Sequence, residues 1–334
     1  MLIRIPRTWE LPESAATPEH VWRSRRTLLK GLAAGPILAA LPGLVACDDK
    51  ASSKEGGSNA AQAAGGDPTS GLYPAKRNER YTVDRALSAE KDATNYNNFY
   101  EYGVDKGIAK DAQQLKTRPW TIEISGLVEK PQTVDIDALI RKMPLEERVY
   151  RHRCVEAWSM TVPWSGFPLA ELVKFAAPQS SAKYIRFETF SDTSMAPGMR
   201  VPFFPWPYVE GLTMEEANNE LAFISTGLYG KPIAKQNGAP IRLTTPWKYG
   251  FKSVKSIVKI AFTEERPKTF WEVAGPGEYG FWANVNPRVP HPRWSQASER
   301  VLGSNERVPT LLFNGYEEQV AGLYKGLEGE KLYM

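Results

Sequence analysis

The sequence predicts an α+β fold of mixed sheets and short helices. Three observations predict it. Several short segments alternate apolar and polar residues at period two, no strand–helix–strand rhythm repeats along the chain, and 26 prolines and 26 glycines among 334 residues cut every element short. An apolar content of 42% is enough for a sizeable core. No internal repeat is visible.

In chain order, Trp120-Thr121-Ile122-Glu123-Ile124-Ser125 alternates and stops at Gly126, which reads as a half-buried strand. Val149-Tyr150 reads as the end of another strand. Val162-Pro163-Trp164-Ser165-Gly166-Phe167-Pro168 reads as a loop entering a helix at Leu169–Ala176, with Pro168 at a favourable first helical position. Tyr184–Thr189 alternates again. Thr213-Met214-Glu215-Glu216 has the spacing of a helix capping box. Ile241-Arg242-Leu243 and Ser256–Phe262 read as further strands.

The N-terminal 46 residues belong outside this fold. Ser24-Arg25-Arg26-Thr27-Leu28-Leu29-Lys30 followed by apolar residues 31–46 is the pattern of a twin-arginine export signal. The apolar stretch is 16 residues long and broken by Pro36 and Pro42, short of the ~20 residues that span a bilayer. Leu44-Val45-Ala46-Cys47 fits a lipoprotein box with Cys47 lipidated, and equally an ordinary cleavage site with Cys47 incidental. Residues 47–72, rich in Ser, Gly and Ala, read as a flexible linker. The catalytic body is expected over 73–334, in the periplasm.

Charge excludes one class of partner. The net formal charge of +4 falls to +1 beyond residue 46, where 36 basic face 35 acidic side chains. Such a balance leaves no electrostatic footprint for nucleic acid.

The body contains a single cysteine, Cys154, in Arg151-His152-Arg153-Cys154-Val155-Glu156-Ala157-Trp158. In an oxidising compartment an unpaired thiol is either inert and buried or a ligand. Three histidines and two cysteines are too few for a closed zinc site, a haem-attachment motif or an iron–sulfur cluster. No Gly-x-Gly-x-x-Gly follows a strand, and no Gly-x-x-x-x-Gly-Lys-Ser/Thr or Gly-x-Ser-x-Gly motif occurs. The three basic neighbours are expected to favour the thiolate.

The segments Arg-Cys-Val-Glu-Ala-Trp-Ser at 153–159 and Pro-Trp-Ser-Gly-Phe-Pro-Leu at 163–169 resemble the molybdopterin enzymes of the sulfite-oxidase fold. Tyr96-Asn97-Asn98-Phe99-Tyr100-Glu101, Pro144–Arg148, Gln236-Asn237-Gly238-Ala239-Pro240, Pro246–Lys252, Ala283–Pro287 and His291–Ala297 match as well. Together they resemble most closely the catalytic subunits of periplasmic protein-methionine-sulfoxide reductases.

The resemblance implies one molybdenum–molybdopterin per chain. Cys154 would be its protein metal ligand. Asn97, Tyr100, Glu101, Thr189, Asn237, Arg242, Ser253, Val254 and Lys255 would be its cofactor-binding residues. Arg242 offers a guanidinium fork and Lys255 a point charge for phosphate. On the residues alone, Lys248, Lys252 and Lys255 read equally well as a solvated run.

Glu156 and Trp158 follow the cysteine where sulfite-oxidising relatives carry arginines, which suits a neutral sulfoxide better than an anion. Glu156 is the candidate proton carrier and Trp158 part of the catalytic pocket. Tyr249, Trp247, Phe281 and Trp282 are candidates for its lining. The implied partners are a haem-containing membrane subunit as electron donor, oxidised exported proteins as substrates and the twin-arginine export machinery. Two alternatives stand beside this: a sulfite-oxidase-like or small S-/N-oxide-converting molybdoenzyme, and an exported binding protein with an inert cysteine.

Overall fold

The computed structural model describes residues 66–334. The twin-arginine signal, Cys47 and most of the linker lie outside the described residues. The linker's last residues do not behave as a linker. Thr69 is buried, the Asp67 carboxylate accepts from its backbone N–H at 2.8 Å, and Arg141 donates to Pro68 O at 2.5 Å. The packed body therefore begins at about Asp67, inside the segment assigned to the linker.

Two sheets form the body. The strands are β1 (Thr121–Gly126), β2 (Gln132–Asp135), β3 (Glu146–Arg153), β4 (Trp158–Pro168), β5 (Tyr184–Thr189), β6 (Val209–Thr213), β7 (Phe223–Leu228), β8 (Lys231–Pro232), β9 (Arg242–Thr244), β10 (Ile257–Thr263), β11 (Ser298–Val301) and β12 (Arg307–Pro309). The smaller sheet runs β2-β1-β10-β5-β6. In it only β1 and β10 are parallel. The larger runs β12-β11-β4-β7-β8, with β3 on β4 and β9 on β7. There β11 and β4 are parallel and the other pairs antiparallel. Both sheets are mixed, as the α+β class required.

Alternation built the smaller sheet as predicted. In β1, Ile122 and Ile124 are fully buried between exposed neighbours. In β5, Ile185, Phe187 and Thr189 face inward. The helix Leu169–Ala176 forms as read, with Pro168 as its N-cap rather than its first residue. Thr213 makes the capping box: its side chain accepts from Glu216 N at 3.1 Å and the Glu216 carboxylate accepts from Thr213 N at 3.2 Å.

The segment read as a loop, 162–168, is instead the second half of β4. This is a central strand buried along ten consecutive residues, so it carries no period-two signal. Pro163 is tolerated because it pairs with Val149 at a position where neither residue bonds the other. Val149 N donates away from β4 to Tyr81 O, and Pro163 O accepts from Tyr229 N. Gly166 sits where β4 shifts register against β7. A Cβ there would lie 1.9 Å from Ile224 O.

Candidate active site

Cys154 closes the β3–β4 hairpin. Its N–H donates to Trp158 O at 2.9 Å and its carbonyl accepts from Ala157 N at 3.1 Å. Ala157 takes a left-handed φ of 62°, so this tight turn is strained for a non-glycine residue. The hairpin delivers the sulfur into a cavity of about 490 Å³.

Four further segments complete the walls. Tyr96–Glu101 follow the helix Glu90–Asn95. Asn237 comes from the 3-10 turn Lys235–Asn237, Arg242 from β9, and Ser253–Lys255 from the chain after the 3-10 turn Gly250–Lys252. All predicted site residues except Thr189 line this cavity. Thr189 is buried behind it, and its hydroxyl donates to Lys255 O at 2.6 Å. It thus holds the backbone that presents Lys255.

The basic neighbours of Cys154 do not act on the thiol as predicted. Arg151 pairs with Asp84. Arg153 turns to Glu299 at 2.9 Å and Gln296 at 2.8 Å. His152 lines the cavity, but burial, then the Arg242 and Lys255 charges, push its pKa down to about 3, so it is neutral. Burial, followed by the Glu156 charge, pushes the Cys154 thiol up to about 12. The protein alone keeps a thiol there, and a bound metal ion is what would make it a thiolate.

Glu156 lies beside the sulfur, Oε2 to Sγ 3.8 Å. Burial raises its pKa, but Lys106, Trp158 and Asn98 together outweigh that and hold the carboxyl below its ordinary value. Lys106 Nζ is 2.7 Å from Oε2, Trp158 Nε1 donates at 3.1 Å and Asn98 Nδ2 at 3.4 Å. Its ion-pair partner, Lys106, comes from a loop 50 residues upstream, and neither Lys106 nor Asn98 was singled out from the sequence.

Two cations, buried Arg242 and partly buried Lys255, face the cavity without a carboxylate partner among the described residues. Arg242 donates to the carbonyls of Leu243, Asn237 and Ser253 at 3.2, 2.9 and 3.1 Å. Lys255 Nζ donates to the carbonyls of Asn98 and Gln236 at 2.9 and 2.7 Å. Asn97 and Asn237 both spend their amide groups on Ala93 O, at 3.1 and 3.0 Å. Their buried Oδ1 atoms and that of Asn98 have no partner. Glu101, fully buried, has its carboxyl pushed up to about 7 by burial, against the opposing pull of a backbone N–H and Lys255.

The other two lysines of the supposed solvated run are core residues. Lys248 pairs with Glu216 at 2.5 Å and Lys252 with Glu210 at 2.6 Å, all four fully buried or nearly so. The predicted lining aromatics Tyr249, Trp247, Phe281 and Trp282 are likewise core. The lining is made instead by Tyr96, Tyr100, Phe251, Trp271, Tyr279 and Trp294, together with the predicted Trp158. Trp294 Nε1 donates to Val155 O at 2.8 Å, tying its loop to the cysteine turn.

Residues 109–271 match the model of the oxidoreductase molybdopterin binding domain. The chain is 50% identical over 341 aligned positions to the protein-methionine-sulfoxide reductase catalytic subunit MsrP of Pseudomonas syringae pv. tomato, covering all of both chains. Among solved structures it is similar to the sulfane dehydrogenase SoxCD from Paracoccus pantotrophus. That match has a TM-score of 0.43 and 17% identity, and covers 67% of this chain and 59% of the other.

Proposed function

The chain belongs to the family of protein-methionine-sulfoxide reductase catalytic subunits, and from that membership we propose that its cavity reduces methionine sulfoxide to methionine at a molybdenum–molybdopterin centre. The observation that carries the reading is the donor set around one thiol. Arg242, buried, and Lys255, partly buried, lack a carboxylate partner, as a phosphate-bearing group requires. The unpaired oxygens of Asn97, Asn98 and Asn237 await donors, as a pterin edge supplies. Cys154 is the single thiol among the described residues, with no disulfide partner there. The residues fit the group.

In this reading Cys154 ligates the metal. Asn97, Tyr100, Glu101, Asn237, Arg242, Ser253, Val254 and Lys255 hold the organic part, and Thr189 orders Lys255. The bound centre supplies two-electron oxygen-atom transfer. The balance is methionine sulfoxide plus two electrons and two protons giving methionine plus water. The aromatic lining excludes bulk water and receives the thioether. Glu156 holds a carboxylate oxygen beside Cys154 and can receive a proton there. Lys106, its ion-pair partner, is 22% exposed and links it to solvent. A carboxylate in this place repels sulfite and tolerates an uncharged sulfoxide.

The relative's role as a catalytic subunit implies a second subunit. This chain has no motif for haem or an iron–sulfur cluster, and the electrons are assigned to a haem-containing membrane subunit. Twin-arginine export to the periplasm, with oxidised exported proteins as substrates, completes the reading. No helix among the described residues is long and apolar enough to cross a membrane.

The test is metal analysis and turnover of protein exported by its own signal. The parent should carry about one molybdenum and reduce methionine sulfoxide with a reduced dye as donor. Cys154→Ser should lose metal and activity. A metal-free parent, or a fully active Cys154→Ser, overturns the reading. Glu156→Gln with full turnover and an unchanged pH profile removes the proton role of Glu156.

A further inference from the structure

The aromatic lining of the cavity continues outward into rings that the reaction does not use. Tyr100 and Trp271 line the cavity and meet edge to face with centroids 4.9 Å apart. Phe204 touches both, at 5.7 Å from Tyr100 and 5.8 Å from Trp271. It is backed by Phe270 at 5.4 Å and Trp206 at 5.7 Å. Outward from Phe204 stands Phe203, 4.2 Å away. Phe203 is 72% exposed, more than any other large apolar side chain among the described residues. Val104, 64% exposed, lies between the lining residue Glu101 and Lys106, the partner of Glu156.

The cluster is rigid and uncharged. Pro202, Pro205 and Pro207 fix the chain that carries Phe203 and Phe204, so little ordering cost remains when something binds. From Val201 to Val209 the segment has no ionisable group except Tyr208, whose hydroxyl is spent on Phe251 O. An exposed phenyl ring backed by a prebuilt stack, and continuous with a binding cavity, is the signature of an apolar contact surface.

We propose that Phe203 and Phe204 are a docking platform for extended polypeptide segments that carry apolar residues near the methionine sulfoxide. This deepens the reductase reading and rests on it. Once an oxidised side chain enters the cavity, its backbone must cross the mouth, and the following residues pass over the neighbouring surface. An extended chain advances about 3.3 Å per residue. Phe203 lies within about 10 Å of Tyr100 through Phe204, so the residue two or three positions from the sulfoxide reaches it. The platform therefore distinguishes a polypeptide from the free amino acid, and apolar flanks from polar ones.

The experiment uses the holoenzyme with a reduced dye and three substrates. They are free methionine sulfoxide, an unstructured peptide with leucines two and three residues after the sulfoxide, and the same peptide with serines there. The parent should favour the leucine peptide by about tenfold in kcat/KM over the serine peptide. Phe203→Ser should abolish that preference and leave free methionine sulfoxide within about twofold of the parent. Leu311→Ser, another exposed apolar site, should leave the preference intact. Equal rates on both peptides in the parent overturn the proposal, as does a Phe203→Ser variant that keeps the preference or slows all three substrates alike. Those results spare the reductase reading. A parent that reduces none of the three overturns that reading instead, and the platform with it.

Discussion

Replacing Arg242 with methionine should leave the stability of the cofactor-free protein nearly unchanged and sharply weaken the cofactor-loaded one. Arg242 is 2% exposed, and burial drives its pKa from 12.5 down to about 9. That depression corresponds to roughly 5 kcal/mol of penalty for keeping the charge at neutral pH. Methionine removes the penalty. It also forfeits three hydrogen bonds from a charged donor to carbonyls, at about 1.5 kcal/mol each, and the contact over the Trp164 ring at 4.9 Å, about 1 kcal/mol more. Gain and loss nearly cancel, and the cofactor-free variant should lie within about 1 kcal/mol of the parent. Thermal denaturation of protein made in a host without molybdopterin synthesis reads this directly. In the loaded protein the same change removes the charge-assisted bonds to an anionic group, at least about 3 kcal/mol, or over 100-fold in retention. Molybdenum content after gel filtration reads that side. A variant strongly destabilised when cofactor-free yet retaining full metal would show that Arg242 is a structural cation and refute the assignment.

Lys252→Met leaves Glu210 buried and unpaired and should cost about 3–5 kcal/mol in urea denaturation, whereas Lys252→Met with Glu210→Met should recover most of it. Glu101 predicts a pH slope. Its folded pKa, about 7, lies above the ordinary 4.5, so the folded cofactor-free state holds more protons between those values. Stability is greatest below about pH 4.5 and falls by roughly 3 kcal/mol as pH rises through 7. Glu210, raised to about 6, contributes in the same window. Glu101→Gln should therefore flatten the slope without abolishing it, and an unchanged slope on denaturation at stepped pH would remove the assignment.

The half-buried strands were legible because one face of each meets water. β5 alternates residue by residue, and its bounds follow from that. β4 was not legible, because a strand covered on both faces has no alternation, and its two prolines read as loop punctuation. The site residues were legible through ordered motif matches, and the fold brings nearly all of them to one cavity. Their partners were not. Lys106 reaches Glu156 across 50 residues, and Glu210 and Glu216 reach Lys252 and Lys248 across 42 and 32. No local pattern encodes such pairs. Trp271, Tyr279 and Trp294 line the cavity from separate stretches of chain, with nothing in their spacing to announce a common wall.

The buried cations separate structure from function within one chain. Arg153, Lys248 and Lys252 are fully buried, and each has a buried carboxylate within 3 Å. These pairs are self-contained, and their removal is a question of stability. Arg242 is almost as deeply buried and Lys255 partly so, but they are offered only neutral carbonyls. A fold selected for stability alone would replace or pair such charges, since an unpaired buried cation costs several kcal/mol. Both line the same cavity as Asn237, whose Oδ1 is unpaired. The penalty is reversed only when an anion enters, so the site is built for its loaded state, and the cofactor-free protein carries the strain of waiting for it.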